Sequence, residues 1–119
     1  MALWPGKAIP DRKCAYVCYH GKEIKETHYE LLLGDHYIWV PAVNCMAKGA
    51  VKGGKTSYGE TLYVGRVYYK GSLTCGKIHR SHNCLYIPFG CREVKIEHGY
   101  EMLVNKYKYQ SKDRDRDIY

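Results

Sequence analysis

The sequence predicts an all-β protein built from antiparallel sheets, and three observations support this fold class. First, 13 of the 119 residues are tyrosine, which suits the half-buried surface of a strand because its ring packs while its hydroxyl stays in water. Second, twelve glycines occur in short clusters that favour frequent tight turns. Third, no stretch of ten or more residues keeps the apolar spacing of an amphipathic helix.

Six segments are predicted as strands because they are rich in tyrosine and in β-branched or aliphatic residues and end near glycine, proline or asparagine. In chain order they are Cys14–His20, His28–Leu33, Tyr37–Pro41, Thr61–Tyr69, Cys84–Phe89 and Tyr100–Val104. Turns are predicted between them at Gly34-Asp35, Gly53-Gly54, Gly71-Ser72, Gly90 and Gly99. Strands that recur about every dozen residues are typical of a meandering antiparallel sheet or a sandwich.

The chain contains an internal repeat, in which residues 5–33 are echoed at 75–104. An offset of 70 matches Gly6 with Gly76, Lys7 with Lys77, Cys14 with Cys84, Tyr16 with Tyr86, Glu23 with Glu93 and Lys25 with Lys95; one inserted residue later, Tyr29-Glu30-x-Leu32 matches Tyr100-Glu101-x-Leu103. Such self-similarity predicts a supersecondary unit used twice, each copy burying a face against the other. Residues 37–74 precede the second copy and nothing comparable precedes the first, so one and a half tandem repeats are predicted.

The length bounds the domain organisation, because 119 residues are enough for one domain and too few for two ordinary ones. We expect a single β domain over residues 1–105, made of a half repeat over 4–35 and a complete repeat over 36–105. Residues 106–119 alternate in charge and have little to bury, so a charged, mobile tail is predicted there.

The six cysteines are interpreted as free thiols. Residues 1–20 lack a basic region followed by an apolar one, so we expect no signal peptide and a cytoplasmic protein, with unconventional secretion left open. Cys14 and Cys18, on one strand, would stand about 13 Å apart, beyond disulfide reach. No apolar run approaches the roughly 20 residues of a membrane helix, so no membrane span is predicted.

The formal net charge of +7 could favour an anionic partner such as nucleic acid. The lysines, however, are scattered singly through strand-like segments, without a basic helix or a basic run. We therefore expect no nucleic-acid partner.

Residues 49–56 satisfy the phosphate-loop pattern G-x-x-x-x-G-K-T. A true phosphate loop leads from a buried strand into a helix, whose N-terminus contributes to phosphate binding. Here the following segment has the pattern of a strand, so we interpret the glycines as a hairpin turn.

Four residues are spaced closely enough for a zinc site, which needs four nitrogen or sulfur ligands in a tetrahedron. They are Cys75, His79, His82 and Cys84. Only Cys84 has an equivalent in the first copy, Cys14. The alternative, which we adopt, is a half-buried strand cysteine with surface histidines in a turn, so no metal is expected.

No serine, histidine, cysteine and aspartate grouping stands out as catalytic, and we expect no enzyme activity. Glu23, Glu93, Glu30 and Glu101 recur between the two copies, which also share recurring lysines. A carboxylate that recurs in this way is typical of a structural ion pair across neighbouring strands, with a catalytic carboxylate pair as the alternative.

Several short motifs in the second copy and the segment before it share the order and spacing of one repeat family. They are Trp39-Val-Pro-Ala42, Gly49-Ala-Val51, Gly59-Glu-Thr-Leu-Tyr-Val-Gly-Arg66, Gly71-Ser-Leu-Thr-Cys-Gly-Lys77, Cys84-Leu-Tyr-Ile-Pro-Phe-Gly90, Glu93 and Tyr100-Glu-Met-Leu103. In this combination the chain resembles the DM-nine repeat family of invertebrates. The resemblance covers residues 36–104 nearly end to end, and residues 4–34 resemble the latter half of a preceding repeat.

The resemblance implies a fold and a function. Similar proteins fold as β-rich tandem repeats whose halves exchange strands, some form dimers, and studied members are lectin-like pattern-recognition proteins that bind mannose-type glycans on microbes without an obligatory metal. We therefore expect a non-enzymatic, mannose-binding lectin of innate immunity that needs no cofactor and forms a homodimer. The alternative is a protein interaction or assembly module that binds no sugar and completes its sheet by oligomerisation.

The resemblance also implies the sugar-binding residues. In the family the sugar is held by the lysine of a Pro-Gly-Lys motif, which corresponds to Lys77 and, in the first copy, to Lys7. The family's acidic residue, in the glycine-rich turn, falls on Thr56 or its neighbours, where no aspartate stands. A threonine cannot replace a carboxylate's charge-assisted hydrogen bonds, worth roughly 1.5–3 kcal/mol. We therefore consider Glu60 as a substitute and Tyr58 as an aromatic platform for the sugar.

Overall fold

The computed structural model describes residues 4–9, 12–29 and 31–110, in which ten strands form one antiparallel sheet. The strands are β1 (Lys7–Ile9), β2 (Cys14–Tyr19), β3 (Lys22–Glu26), β4 (Tyr37–Pro41), β5 (Lys52–Lys55), β6 (Thr61–Tyr69), β7 (Ser72–His79), β8 (Cys84–Phe89), β9 (Arg92–Ile96) and β10 (Glu101–Asn105). A 3-10 turn over Arg80–His82 joins β7 to β8, and a short helix, α1 (Lys106–Gln110), follows β10. The predicted all-β fold is confirmed.

Five of the six predicted strands are confirmed, as β2, β4, β6, β8 and β10, with ends that differ by at most one residue. The odd-numbered strands were not predicted. β3 and β9 carry charges at most positions, and β1 has only three residues. β5 contains Gly53 and Gly54, so the turn predicted at these glycines is wrong. These segments are strands because neighbouring strands supply their hydrogen bonds, whatever their intrinsic preference.

The prediction of a strand over His28–Leu33 is also wrong. Residues 29 and 31–34 have no regular structure, and Glu30 lies outside the described residues. The equivalent segment of the second copy is β10, which pairs with β4 on one side and β6 on the other. Among the described residues, no strand takes these places beside the first copy. A strand needs ladder partners, and the first copy of this motif has none.

The strand order shows how the two copies are arranged. It runs β1-β2-β3-β9-β8-β7-β6-β10-β4, with β5 paired to β6. At the offset of 70, β1, β2 and β3 correspond to β7, β8 and β9, so the order is symmetric about the β3–β9 junction. The strands pair there at Lys22 and Arg92, which are themselves equivalent. A local pseudo-twofold axis therefore passes through this junction.

The recurring Gly-Lys motif has a steric cause. A β-carbon at Gly6 would lie 2.3 Å from the carbonyl oxygen of Tyr16, and one at Gly76 would lie 2.0 Å from that of Tyr86. Both distances are far shorter than van der Waals contact. Glycine is required at this point of each copy because two backbones cross too closely for any side chain.

Each copy also contributes a glutamate to the hairpin of the other copy. The Oε1 atom of Glu93 accepts a hydrogen bond from the backbone N–H of Gly21 at 3.0 Å, and its Oε2 atom lies 3.3 Å from the Lys77 ammonium. Glu23 accepts one from the N–H of Cys91 at 2.9 Å. We call these the crossed glutamates.

Glu23 repeats the second contact as well, because its Oε2 atom lies 3.4 Å from the Lys7 ammonium. Glu23 and Glu93 therefore form the predicted ion pairs with recurring lysines, although the paired strands are not neighbours. Each pair spans the strand between its two members, β2 in the first copy and β8 in the second. Glu101 pairs with Arg66 instead, and Glu30 lies outside the described residues. The hydrogen bonds to the Gly21 and Cys91 N–H groups hold the two copies against each other, and the ion pairs fix each carboxylate within its own copy.

The main core lies under the second copy. Its buried members are Val40, Cys45, Ile78, Leu85, Ile87, Tyr100, Met102 and Val104. At the offset of 70, Ile78 and Leu85 correspond to Ala8 and Ala15, and Ala8 is exposed. The first copy thus presents smaller and less covered side chains on the same face of the sheet.

The predicted tail, residues 106–119, differs in its first residues, because Lys106–Gln110 form α1. The side-chain oxygen of Asn105 caps this helix by accepting hydrogen bonds from the N–H groups of Tyr107 and Lys108, at 3.0 and 3.2 Å. Residues 111–119 lie outside the described residues. In the described part of the chain, no helix is long and apolar enough to cross a membrane.

We expect Gly76→Ala to lower the free energy of unfolding by about 3 kcal/mol, because the new methyl group overlaps the Tyr86 carbonyl and the strands must separate. Gly71→Ala is the matched control. The space around Gly71 is open and its φ is +83°, so the alanine should lower the free energy of unfolding by about 1 kcal/mol through its left-handed backbone conformation alone. Urea denaturation measures both values. Equal losses in the two variants would contradict the steric explanation.

Glu93→Gln keeps an oxygen for the Gly21 N–H but removes the charge that faces Lys77. Because both side chains are only 12% and 10% exposed, we expect a loss of about 3 kcal/mol in unfolding free energy. Glu23→Gln should cost less, since Lys7 is 21% exposed and water screens it better. Glu26→Gln, at an exposed position of β3, is the control. If Glu93→Gln were as harmless as the control, the crossed glutamates would not stabilise the fold.

Candidate functional site

Lys77, the first sugar-binding candidate, lies in β7 in register with Tyr86 of β8 and is 9% exposed. Its ammonium donates a hydrogen bond to the Cys18 carbonyl at 2.9 Å and pairs with Glu93. Aromatic rings cover the ammonium as well, with the ring centres of Trp4 and Tyr86 at 5.2 and 5.7 Å. The ammonium is therefore enclosed by a carbonyl, a carboxylate and two rings.

Lys7 has a similar but more open environment in the first copy. It lies in register with Tyr16, whose ring centre is 5.7 Å from the ammonium, and the Phe89 ring centre is 5.4 Å away. Its side chain is 21% exposed, compared with 10% for Lys77. Among the described residues, Glu23 is its only hydrogen-bonding or ionic partner, so part of its donor capacity is unused.

The other three candidates, Thr56, Tyr58 and Glu60, lie in the turn between β5 and β6. The Thr56 hydroxyl accepts hydrogen bonds from the N–H groups of Tyr58 and Glu60, at 3.2 and 3.1 Å, and the Thr56 N–H donates to the Glu60 carbonyl at 2.8 Å. Thr56 thus stabilises the turn through hydrogen bonds within residues 56–60. Tyr58 at its tip is 98% exposed and touches no core residue.

The Glu60 carboxylate is held by the turn between β7 and β8. It accepts hydrogen bonds from the Ser81 N–H at 2.9 Å and the Ser81 hydroxyl at 2.7 Å, and its Oε1 atom lies 3.4 Å from Nδ1 of His79. Desolvation acts to raise the pKa of Glu60, but the Ser81 hydrogen bonds, with His79 and His82, outweigh it and lower the pKa. Glu60 is therefore an oriented anion at neutral pH.

A chain of polar rings connects Glu60 with the surroundings of Lys77. The rings of His79 and His82 stack at 3.7 Å, and Nδ1 of His82 lies 2.8 Å from the hydroxyl of Tyr86. Burial lowers the pKa of His79, whereas burial and a hydrogen bond with Cys84 raise the pKa of Tyr86. At neutral pH the His79 imidazole is therefore neutral and the Tyr86 phenol is protonated.

Trp4 brings the glycine-rich strand β5 next to Lys77. Its indole N–H donates to the Lys55 carbonyl at 3.0 Å, and its ring stacks on Tyr19 at 4.6 Å with an interplanar angle of 17°. Sequence reasoning missed Trp4, Ser81 and Tyr86. Only Tyr86 had a detectable signal, since it recurs as Tyr16.

The four residues of the possible zinc site serve other roles. His79 and His82 stack on each other, while burial raises the pKa of the Cys75 and Cys84 thiols, which disfavours the thiolate that zinc binds. Within 4–9, 12–29 and 31–110, no group of three or more histidine, cysteine, aspartate or glutamate side chains is arranged to hold a metal ion.

The six cysteines, all within the described residues, form no disulfide. Cys14 and Cys18 lie on the same strand, β2, as the sequence predicted. Burial is the main cause that raises the pKa of Cys18 to about 12, so this thiol stays protonated at neutral pH.

The phosphate-loop pattern over residues 49–56 does not lead into a helix. Residues 52–55 are β5, and the turn after them enters β6. A hairpin does join β5 to β6, but the interpretation of the glycine pair as its turn is wrong, because the reversal lies at residues 56–60.

Comparison with known proteins agrees with this architecture. No curated protein matches the chain. A family model described as the DM9 repeat matches residues 1–96, which include the first copy, the intervening strands and the second copy through β9. Membership is consistent with a lectin-like or other binding module. On this match, the chain belongs to the DM9 repeat family.

Proposed function

We propose that this chain is a non-enzymatic carbohydrate-binding protein, a lectin of innate immunity that recognises mannose-type glycans on microbial surfaces. The observation that supports the proposal is a group of lysine, glutamate and tyrosine that occurs twice with the same geometry. Lys77, Glu93 and Tyr86 form it in the second copy. The equivalent residues of the first copy repeat both contacts.

These three side chains offer the chemistry that a sugar requires. A lysine ammonium donates to hydroxyl oxygens, a carboxylate accepts from hydroxyl hydrogens, and an aromatic ring packs against the apolar C–H face of the pyranose. Hydrogen bonds to charged groups contribute roughly 1.5–3 kcal/mol each. In the proposal, a few such bonds and one ring contact bind a single sugar unit.

The turn at residues 56–60 extends this site in the second copy. Each Glu60 oxygen receives one hydrogen bond from Ser81 and keeps a lone pair for a ligand hydroxyl. In the proposal Glu60 substitutes for the acidic residue of the family, Thr56 shapes the turn, and the exposed Tyr58 packs against the glycan.

The double variant Lys7→Met, Lys77→Met should lose mannose binding by at least about tenfold, since one charge-assisted hydrogen bond corresponds to that factor. Methionine keeps the side-chain length and removes the charge. A mannoside titration followed by NMR measures the affinity, and near-ultraviolet circular dichroism checks the fold. Lys22→Met, at an exposed position of β3, is the control. Undiminished binding by the folded double variant, or none by the natural sequence, would refute the proposal.

A second candidate function is assembly, and the exposed apolar surface of the first copy favours it. Leu31, Leu32 and Leu33 are 60%, 52% and 77% exposed, whereas Leu103, the second-copy equivalent of Leu32, is 6% exposed. β1 is also an edge strand of the sheet, and such edges pair with other chains. In this proposal two copies of the chain form a homodimer by covering each other's first copy around a twofold axis.

The double variant Leu31→Ser, Leu33→Ser should weaken the dimer about 100-fold, because each buried leucine contributes roughly 1.5–3 kcal/mol. Sedimentation velocity over a range of concentrations measures the dimer. Tyr68→Ser, which changes a 74% exposed residue of β6, is the control and should dissociate like the natural sequence. A natural protein that stays monomeric at every concentration would exclude this function.

A further inference from the structure

We propose that the two lysine sites are unequal: Trp4 closes the Lys77 site, and a sugar binds first at the Lys7 site. Trp4 would then be the residue that selects which of the two equivalent sites is available. The part of this inference that concerns sugar rests on the proposed carbohydrate-binding function, whereas the closure by Trp4 is a property of the fold and can be tested without any sugar.

Trp4 is held over Lys77 by contacts on several sides. Tyr19 stacks on its ring, the Lys77 ammonium lies 5.2 Å from the ring centre, and the indole N–H is bonded to β5. The next residue, Pro5, packs so closely on Gly53 that a β-carbon there would lie 2.4 Å from the proline ring. The segment is seated on β5 and cannot leave Lys77 uncovered without breaking these contacts.

The first copy has no residue equivalent to Trp4, although the Phe89 ring centre lies 5.4 Å from the Lys7 ammonium. At the offset of 70, Trp4 corresponds to Thr74, which is 1% exposed and whose hydroxyl donates to the Ser72 carbonyl at 3.3 Å. Thr74 is therefore buried within β7 and is too short to reach over a neighbouring lysine. We assign the asymmetry between the two sites to this difference, which is one of several between the two copies.

The Lys7 site combines donors, an acceptor and aromatic walls. The ammonium lies between the rings of Tyr16 and Phe89, and Tyr69 supports Phe89 edge-on at 5.0 Å. Glu23 supplies a carboxylate oxygen beside the ammonium. Unlike Lys77, Lys7 has no carbonyl acceptor among the described residues. Its free donor capacity and two ring faces suit a neutral pyranoside.

Closure has a quantitative consequence. If the Lys77 site is open in only a fraction of molecules, its apparent affinity for a ligand is reduced by that fraction. The same holds for any reagent that must reach the ammonium. Chemical labelling of lysines therefore reports on Trp4 independently of sugar binding.

The first experiment is limited reductive methylation of the folded protein, with the rate at each lysine read by mass spectrometry. In the natural sequence Lys77 should react at least about tenfold more slowly than Lys7, and Trp4→Ala should raise the Lys77 rate about tenfold. Lys22 should react at the same rate in both proteins. Tyr68→Ala is a matched aromatic control that should leave every rate unchanged.

Tyr19→Leu provides a second variant that removes the stacking support of Trp4 without touching Lys77. If Trp4→Ala loses its cooperative melting transition, Tyr19→Leu decides the question, and the Lys77 rate should rise in it as well. The inference is overturned if Lys77 reacts as fast as Lys7 in the natural sequence. It is equally overturned if the Lys77 rate does not change in the folded variants.

The second experiment titrates methyl α-mannoside and follows binding by NMR. Lys7→Met should weaken binding by at least about tenfold, because only the closed Lys77 site remains, and adding Trp4→Ala to Lys7→Met should restore most of the lost affinity. Binding that is unchanged in Lys7→Met, or that Trp4→Ala does not restore in the folded double variant, overturns the site order. If no protein binds the mannoside, the proposed function and the site order fail together, while the labelling rates still decide whether Trp4 closes Lys77.

Discussion

The two crossed glutamates are the interaction on which the rest of this structure depends. Each one satisfies the backbone N–H of a turn in the other copy and at the same time neutralises the half-buried lysine of its own copy. Because β3 and β9 share only the pairing at Lys22 and Arg92, ladder hydrogen bonds alone provide little to hold the copies together. The carboxylates add two hydrogen bonds across this junction and thereby fix the relative position of the two sites that lie on either side of it.

The same contacts limit what the lysines can do. A charge that is removed from water must find partners within the protein, and Lys77 finds a carbonyl, a carboxylate and two rings. Structure and ligand binding therefore compete for the same ammonium, and the copy that satisfies its lysine more completely is the less available one. In a repeat protein, equal motifs need not provide equal sites, because the segments that pack over them differ.

The comparison between the copies also shows how far sequence patterns determine secondary structure. The motif Tyr-Glu-x-Leu is part of a strand where β4 and β6 flank it, whereas the described residues of its first copy, Tyr29, Leu31 and Leu32, have no regular structure. The strands that the sequence did not predict show the opposite case. β3 is highly charged and β5 contains glycine, yet both form strands because partner strands lie beside them. Hydrogen bonding between strands joins residues that are distant in the sequence. Local patterns therefore identified the strands that are rich in apolar or aromatic residues and missed those that form only because a partner strand lies beside them.

The sequence alone determined the fold class, the repeat and its offset, the pairing of recurring glutamates with recurring lysines, and the lysines as candidate ligands. These follow from composition and from self-similarity, which are visible in one dimension. Only the tertiary structure decided that the glutamates cross between copies, that Ser81 and His79 orient Glu60, and that Trp4 covers Lys77. Those contacts join residues that lie from 19 to more than 70 positions apart. They arise where the sheet brings distant strands together, which no local pattern of residues encodes.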